Sequence, residues 1–104
     1  MQKKISRMRP QERGTIDMKY VDFNGHSSMI LDAAYDMKTS QLFLGYESGN
    51  YRYKGVKPHV FRNIVNTYEN GDSIGRLIHK TVDLYDGEYI GSGDLETAVK
   101  GYVN

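Results

Sequence analysis

The chain has no cysteine and no tryptophan among its 104 residues, and it has only two prolines. Without cysteine it forms no disulfide and no thiolate, which suits a reducing cytoplasm. It also lacks the apolar run of about 20 residues that a transmembrane helix needs. Its first residues, Met-Gln-Lys-Lys-Ile-Ser-Arg, include no apolar secretory segment. We therefore expect a cytoplasmic protein that does not bind membranes.

Patterns that carry catalysis are missing as well: there is no nucleophile elbow, no Gly-x-Gly-x-x-Gly and no Walker-type phosphate loop. The candidate nucleophiles and bases are Ser27, Ser28, Ser73, His26, His59 and His79. Neighbours in an extended strand point to opposite faces, so His26 and Ser27 would not pair as base and nucleophile. Asp22 and His26 flank a turn, but two ligands without a third do not make a metal site. We expect no catalytic residue, no metal and no cofactor, and hence a protein that is not an enzyme.

Size and composition limit the class of protein that the chain can be. With 38% hydrophobic and 26% charged residues, the chain is typical of one globular domain. A domain of this size buries only about two thirds of the surface that its unfolded chain exposes. Association with a partner or with a second copy of the chain would therefore stabilise it. The nine tyrosines suit such contacts, because tyrosine combines an apolar ring with a polar hydroxyl.

Charge is segregated along the sequence, although the net value is only +1. It is +4 over residues 1–13, −3 over 14–49, +4 over 50–81 and −4 over 82–104. The first block is interpreted as a flexible basic arm. Such blocks usually reflect the solvated faces of helices and strands, and we favour that interpretation. The alternative is that the basic residues of 50–81 share one surface.

Two strands are predicted in the first half of the chain. One spans Thr15–Phe23, and Asn24-Gly25 turns it into a second strand, Met29–Tyr35. Alternation gives the second strand one apolar face, formed by Met29, Leu31, Ala33 and Tyr35. Asp32 and Asp36 lie on its polar face, where we expect ordinary solubilising charges.

A hairpin follows, and its second strand is the centre of the chain. The first strand alternates two sets of residues, Leu42, Leu44, Tyr46 and Gln41, Phe43, Gly45. The short loop Glu47-Ser48-Gly49 leads into the second strand, Asn50–Lys54. In that strand Tyr51 and Tyr53 share one face, and Arg52 and Lys54 share the other.

Two amphipathic helices are predicted next. Pro58 opens the first, where its missing N–H costs nothing, and Asn70-Gly71 ends it. Its apolar stripe consists of Val60, Phe61, Ile64, Val65 and Tyr68. Asp72 or Ser73 caps the second helix, which has an apolar stripe and a polar face. The stripe is Ile74, Leu77, Ile78 and Thr81, and the polar face is Arg76, His79 and Lys80.

These elements predict an α+β domain over residues 14–85, with its core block at 28–85. Its sheet is an antiparallel meander of about four strands, covered by two amphipathic helices on one face. Residues 86–104 form an acidic C-terminal extension. In it Glu88-Tyr89-Ile90 indicates an edge strand, and Asp94–Lys100 indicates two helical turns begun by Ser92 or Asp94. Leu95, Ala98 and Val99 give those turns an apolar stripe, so we expect the extension to dock on its own domain.

The order of several short motifs resembles the KTSC domain. The motifs are Ser27-Ser28, Ile30, Tyr35-Asp36, Leu42, Gly49, Tyr51-Arg52-Tyr53, Gly55-Val56, Ser73-Ile74-Gly75, Ile78 and Tyr85. They cover about the middle half of the chain, which departs from the family at Val56-Lys57-Pro58, where Val-Pro is more usual. The family is named for its occurrence at the C-terminus of some lysyl-tRNA synthetases, and it also occurs alone in bacterial and phage proteins. The resemblance implies a suggested RNA-binding role and carries over no catalytic residue.

The first functional hypothesis is a non-catalytic module that binds RNA or another nucleic acid through a basic face. Its phosphate contacts would come from Arg52, Lys54, Lys57, Arg62, Arg76 and Lys80. Tyr51, Tyr53 or Phe43 would stack on exposed bases. Because tyrosines that face the helices are core residues, we expect at least one of Tyr51 and Tyr53 to be packed.

The second hypothesis is a bacterial or phage accessory protein that binds and modulates a host protein. Its specificity would lie in the terminal extensions, Met1–Arg13 and Asp86–Asn104. An aromatic patch without basic residues would favour this function, whereas one continuous basic face would favour RNA. A third alternative is a small-ligand pocket between sheet and helices, for which a domain of this size seldom has room.

Overall fold

The computed structural model describes residues 18–23, 25, 29–82 and 84–102. Within these ranges one antiparallel sheet has five strands in chain order, β1 (Met18–Asp22), β2 (Ile30–Asp36), β3 (Gln41–Tyr46), β4 (Gly49–Lys54) and β5 (Gly87–Gly91). The helices of the same ranges are α1 (Pro58–Asn70), α2 (Ile74–Val82) and α3 (Leu95–Val99). The α+β class is confirmed, with five strands where the sequence indicated about four. The predicted basic arm, residues 1–13, lies outside the described residues.

Helices α1 and α2 cover one face of the sheet, as predicted. Pro58 begins α1, and Gly71 ends it in the left-handed conformation, with φ of 80°. Of the two cap candidates for α2, Ser73 accepts a hydrogen bond from the backbone N–H of Arg76 at 3.2 Å. The apolar stripes of both helices join the sheet in the main core, through Val60, Phe61, Ile64, Tyr68, Ile74, Ile78 and Val82. None of the helices in the described ranges is long and apolar enough to cross a membrane.

The opposite face of the sheet is covered by α3, from the C-terminal stretch. Asp94 caps this helix by accepting a hydrogen bond from the backbone N–H of Thr97 at 3.0 Å. Leu95 and Val99 are buried in a second core, together with Met18, Tyr20, Ala34 and Phe43 of the sheet. Asn50 of β4 holds the segment that leads into α3, because its side-chain amide donates to the carbonyl of Gly93 at 3.1 Å. The extension therefore docks on its own domain, as expected.

Strand β2 departs from the predicted alternation. The pairing of β2 with β3 shifts register between Ile30 and Asp32, which is a β-bulge. Ile30 consequently enters the main core, while Met29 is 60% and Leu31 is 42% exposed. The prediction that Met29 and Leu31 share the apolar face of Ala33 and Tyr35 was wrong, because the bulge inverts the alternation at that point.

Asp36 is also not the solubilising charge that we expected. Its side chain is buried at the end of β2. Its carboxylate accepts hydrogen bonds from the backbone N–H groups of Lys38, at 2.9 Å, and Thr39, at 3.3 Å. Asp36 therefore shapes the turn that joins β2 to β3.

Candidate nucleic-acid interface

The tyrosine pair of β4 is divided between the core and its margin. Tyr51 and Tyr53 both lie on the sheet face that α1 and α2 cover, where they pair in register with Leu44 and Leu42. Tyr53 is 7% exposed and belongs to the main core, so its ring is closed to a base while the domain is folded. Tyr51 is half-buried at the edge of that core. The prediction that at least one of the two is packed is confirmed.

Three tyrosine rings form a row across β3, β4 and β5. The ring of Tyr51 meets that of Tyr46 edge to face, with centroids 5.5 Å apart and an interplanar angle of 84°. It meets the ring of Tyr89 in the same way, at 5.5 Å and 66°. Gly49 makes room for this row, because a Cβ at Gly49 would collide with Cε1 of Tyr89. Tyr89 is one of the more exposed large side chains of the described residues.

Arg52 lies on the other face of the sheet and is bound within the domain. Its Nε donates to Oε1 of Glu88 at 3.0 Å, and its Nη1 donates to Oε1 of Gln41 at 3.2 Å. The guanidinium carbon lies 4.5 Å from the ring centroid of Tyr102. Only 17% of the Arg52 side chain is exposed. A phosphate contact would require these interactions with the C-terminal stretch to break.

The other predicted cations are exposed, but they do not all lie on the same side. Lys54 follows Arg52 by two positions in β4, so its side chain points to the face that α3 covers. Lys57 immediately precedes α1, while Arg62 lies on α1. Arg76 and Lys80 lie on α2. Among the described residues, none of these five side chains forms an ion pair.

The two sides of the sheet carry opposite charge. Helices α1 and α2 contain three Lys and Arg residues, two histidines and one carboxylate, Glu69, and Lys57 adds a cation at the start of α1. The opposite side has a cleft of about 100 Å³ whose lining includes Asp22, Asp32, Asp94 and Glu96. The charge blocks of the sequence therefore become two differently charged surfaces, although Arg52 and Lys54 belong to the acidic side.

A larger cleft opens beside α2 on the basic side, and we call it the tyrosine cleft. It has a volume of about 320 Å³ and is lined by Met29, Ile30, Tyr46, Tyr51, Tyr53, Gly75, Ile78, His79, Val82, Tyr85 and Gly87. The four lining residues of α2 follow helical spacing, so one side of that helix forms one wall. Gly87 is required opposite, because a Cβ there would lie 2.7 Å from Cε2 of Tyr53. We expected little room for such a cleft in a domain of this size, and the sequence does not predict that Tyr46, His79 and Tyr85 lie together.

A second groove lies between the β1 edge of the sheet and α1. Its volume is about 270 Å³, and its lining includes Lys19, Tyr35, Met37, Phe61 and Arg62. Tyr35 has a structural role here, because its hydroxyl donates to the carbonyl of Val56 at 2.5 Å. Burial raises the pKa of Tyr35 above its ordinary value, which favours the protonated hydroxyl that donates this hydrogen bond.

The catalytic candidates remain scattered. Ser73 caps α2, His59 is exposed on α1, and His79 lines the tyrosine cleft. His26, Ser27 and Ser28 lie outside the described residues. No group of three or more histidine and carboxylate side chains in the described part of the chain is arranged to hold a metal ion.

The antiparallel meander, with α1 and α2 packed on one face, makes this an α+β domain. The structure is similar to the crystal structure of a KTSC domain protein from Yersinia pestis, with a TM-score of 0.61 and 26% sequence identity. The similarity covers 71% of this chain and 99% of the Yersinia chain. No family model matches this sequence, and no curated protein matches it. The chain thus has the fold of that KTSC domain protein, together with further residues of its own.

Proposed function

We propose that the chain is a KTSC-type module that is not an enzyme and that binds RNA through the outer surface of α1 and α2. The observation that supports this is the charge of that surface. Its cations are Lys57, Arg62, Arg76 and Lys80, against two carboxylates, Glu69 of α1 and Asp72 between the two helices. A surface with such an excess of exposed cations attracts a polyanion, because bound phosphates release their counterions.

This proposal uses a smaller set of cations than the sequence suggested. Arg52 is left out because Glu88, Gln41 and Tyr102 already engage its guanidinium. Lys54 is left out because its side chain points to the acidic side of the sheet. The four remaining cations are exposed and lie in or next to α1 and α2, so phosphate contacts with them would position RNA on this surface.

The test measures the affinity for a single-stranded uridine oligonucleotide by fluorescence anisotropy at several salt concentrations. Each phosphate contact contributes about −0.7 to the slope of log affinity against log salt, so four contacts give a slope of about −2.8. The double variant Arg76→Gln/Lys80→Gln removes two contacts and is expected to reduce the slope by about 1.4. It also weakens binding at low salt.

The matched control is Lys38→Gln/Lys100→Gln, which removes the same charge from exposed positions outside α1 and α2. This control is expected to keep the wild-type slope. If both double variants lost affinity equally, net charge alone would govern binding. No binding by the wild-type protein at low salt would contradict the proposed function.

A different observation favours the alternative, an accessory protein that binds a host protein. Met29, Leu31 and Leu84 are 60%, 42% and 81% exposed. Exposed apolar side chains of this kind occur at the centres of protein interfaces. A purified host partner would then bind the wild-type protein and lose affinity for Met29→Ser/Leu31→Ser, while Arg76→Gln/Lys80→Gln keeps it. The opposite dependence would favour RNA.

A further inference from the structure

We infer that the tyrosine cleft binds one unstacked base of a single RNA strand. This inference rests on the proposed function and names the part of RNA that the domain recognises besides phosphate. The cleft has a volume of about 320 Å³, which lies within the range of about 300–1,000 Å³ typical of small-ligand sites. Its walls supply aromatic rings from Tyr46, Tyr51 and Tyr85, together with His79.

The aromatic wall is fixed before a ligand arrives. Tyr51 is wedged between Tyr46 and Tyr89, each with its ring centroid 5.5 Å away. These contacts restrict the orientation of the Tyr51 ring, so little side-chain entropy is lost when a base stacks against the wall. Stacking suits a ligand of any sequence, because every base has a π-face.

Polar groups at the cleft suit the edge of a base. Tyrosine hydroxyls donate and accept hydrogen bonds, and a neutral imidazole offers one donor and one acceptor. Both kinds of group line the cleft, through Tyr46, Tyr85 and His79. A planar aromatic ligand with a polar rim therefore matches the chemistry of these walls better than a purely aliphatic ligand does.

The cations of α2 stand next to the same cleft. Gly75 and His79 line it, and Arg76 and Lys80 follow them directly in the helix and are exposed. A nucleotide whose base enters between the tyrosines therefore has its phosphate near cationic side chains. The second groove lacks this combination, because its two aromatic side chains, Tyr35 and Phe61, are buried.

Gly75 provides a sharp way to close the cleft. It lies in α2 at the wall of the cleft, and a Cβ added there meets no atom within 4 Å. Its φ is not positive, so a larger residue introduces no backbone strain and raises the helix propensity. Gly75→Leu is thus expected to fill part of the cleft while the thermal unfolding temperature stays at or above that of the wild type.

The experiment compares Gly75→Leu with Thr97→Leu, which adds a leucine at an exposed position of α3, on the other side of the sheet from the cleft. Binding of the uridine oligonucleotide is expected to weaken roughly 5- to 150-fold in Gly75→Leu, the range of one stacked base. The salt slope stays at the wild-type value, because no phosphate contact is removed. Thr97→Leu is expected to keep the wild-type affinity.

A second measurement separates this inference from the proposed function. Adenosine monophosphate is titrated into isotope-labelled protein, and we expect the amide signals of His79 and Gly87 to shift in the wild type but not in Gly75→Leu. If Gly75→Leu binds the oligonucleotide as tightly as the wild type does, the inference is overturned and the proposed function remains intact. Failure of the wild type to bind the oligonucleotide would overturn the proposed function. In that case absence of the amide shifts would overturn the inference too, and their presence would support a nucleotide site.

Discussion

Arg52 illustrates how the surroundings of one side chain decide its role. From the sequence it is a cation in an exposed-looking strand, flanked by two tyrosines. In the folded domain it contacts Glu88 of β5, Gln41 of β3 and Tyr102 beyond α3. It thereby joins the C-terminal stretch to the middle of the sheet. We interpret Arg52 as a residue that stabilises the fold.

Replacing Arg52 is therefore expected to affect stability more than binding. Arg52→Met removes the charge-assisted hydrogen bonds to Glu88 and Gln41 and should lower the free energy of unfolding by about 1–2 kcal/mol. Lys54→Met is the matched control, because Lys54 lies on the same face of the same strand but has no ion-pair partner in the described chain. Its effect should stay within about 0.5 kcal/mol. Urea unfolding measures both, and equal effects would contradict this role.

The structural elements differ in how well the sequence predicts them. The β3–β4 hairpin, α1 and α2 are set by local signals, namely alternation, Pro58 at a helix start and Gly71 at a helix end. The apolar stripe of α3 was also visible. The surface on which α3 packs could not be predicted, because Phe43 and Ala34 come from strands far away in the chain.

Two features could not be predicted from the sequence, for physical reasons. The bulge at Ile30 inverts the alternation of β2, and no turn residue marks it. The tyrosine cleft is assembled from β3, β4, α2 and the segment around Tyr85, so its lining has no common spacing in the sequence.

Helix α3 is expected to be structural and separate from the RNA-binding surface. Leu95 is buried against the second core, so Leu95→Ala should lower the free energy of unfolding by about 2–4 kcal/mol. Because α3 covers the opposite side of the sheet, the folded variant should keep the wild-type oligonucleotide affinity and salt slope. Calorimetry gives the stability, and anisotropy below the unfolding temperature gives the affinity. A parallel loss of affinity would place part of the RNA site on the α3 side.

The whole molecule is polarised, with a basic helical side and an acidic side around α3. Its shortest dimension is 25 Å. The Debye length is about 8 Å at 0.15 M salt and about 30 Å at 0.01 M. A charge on the acidic side is therefore screened from RNA on the helical side at physiological salt, but it is felt at low salt.

This difference gives a test of the direction from which RNA approaches. Asp22→Asn/Glu96→Gln removes two negative charges from the acidic cleft. We expect no change in oligonucleotide affinity at 0.15 M salt, and tighter binding at 0.01 M, where the Debye length of about 30 Å exceeds the thickness of the protein. If RNA instead lay across the acidic side, the nearby charges would oppose it at both salt concentrations, and the variant would bind more tightly at 0.15 M as well. The salt concentration at which the two proteins begin to differ therefore reports the distance between the bound phosphates and the acidic cleft.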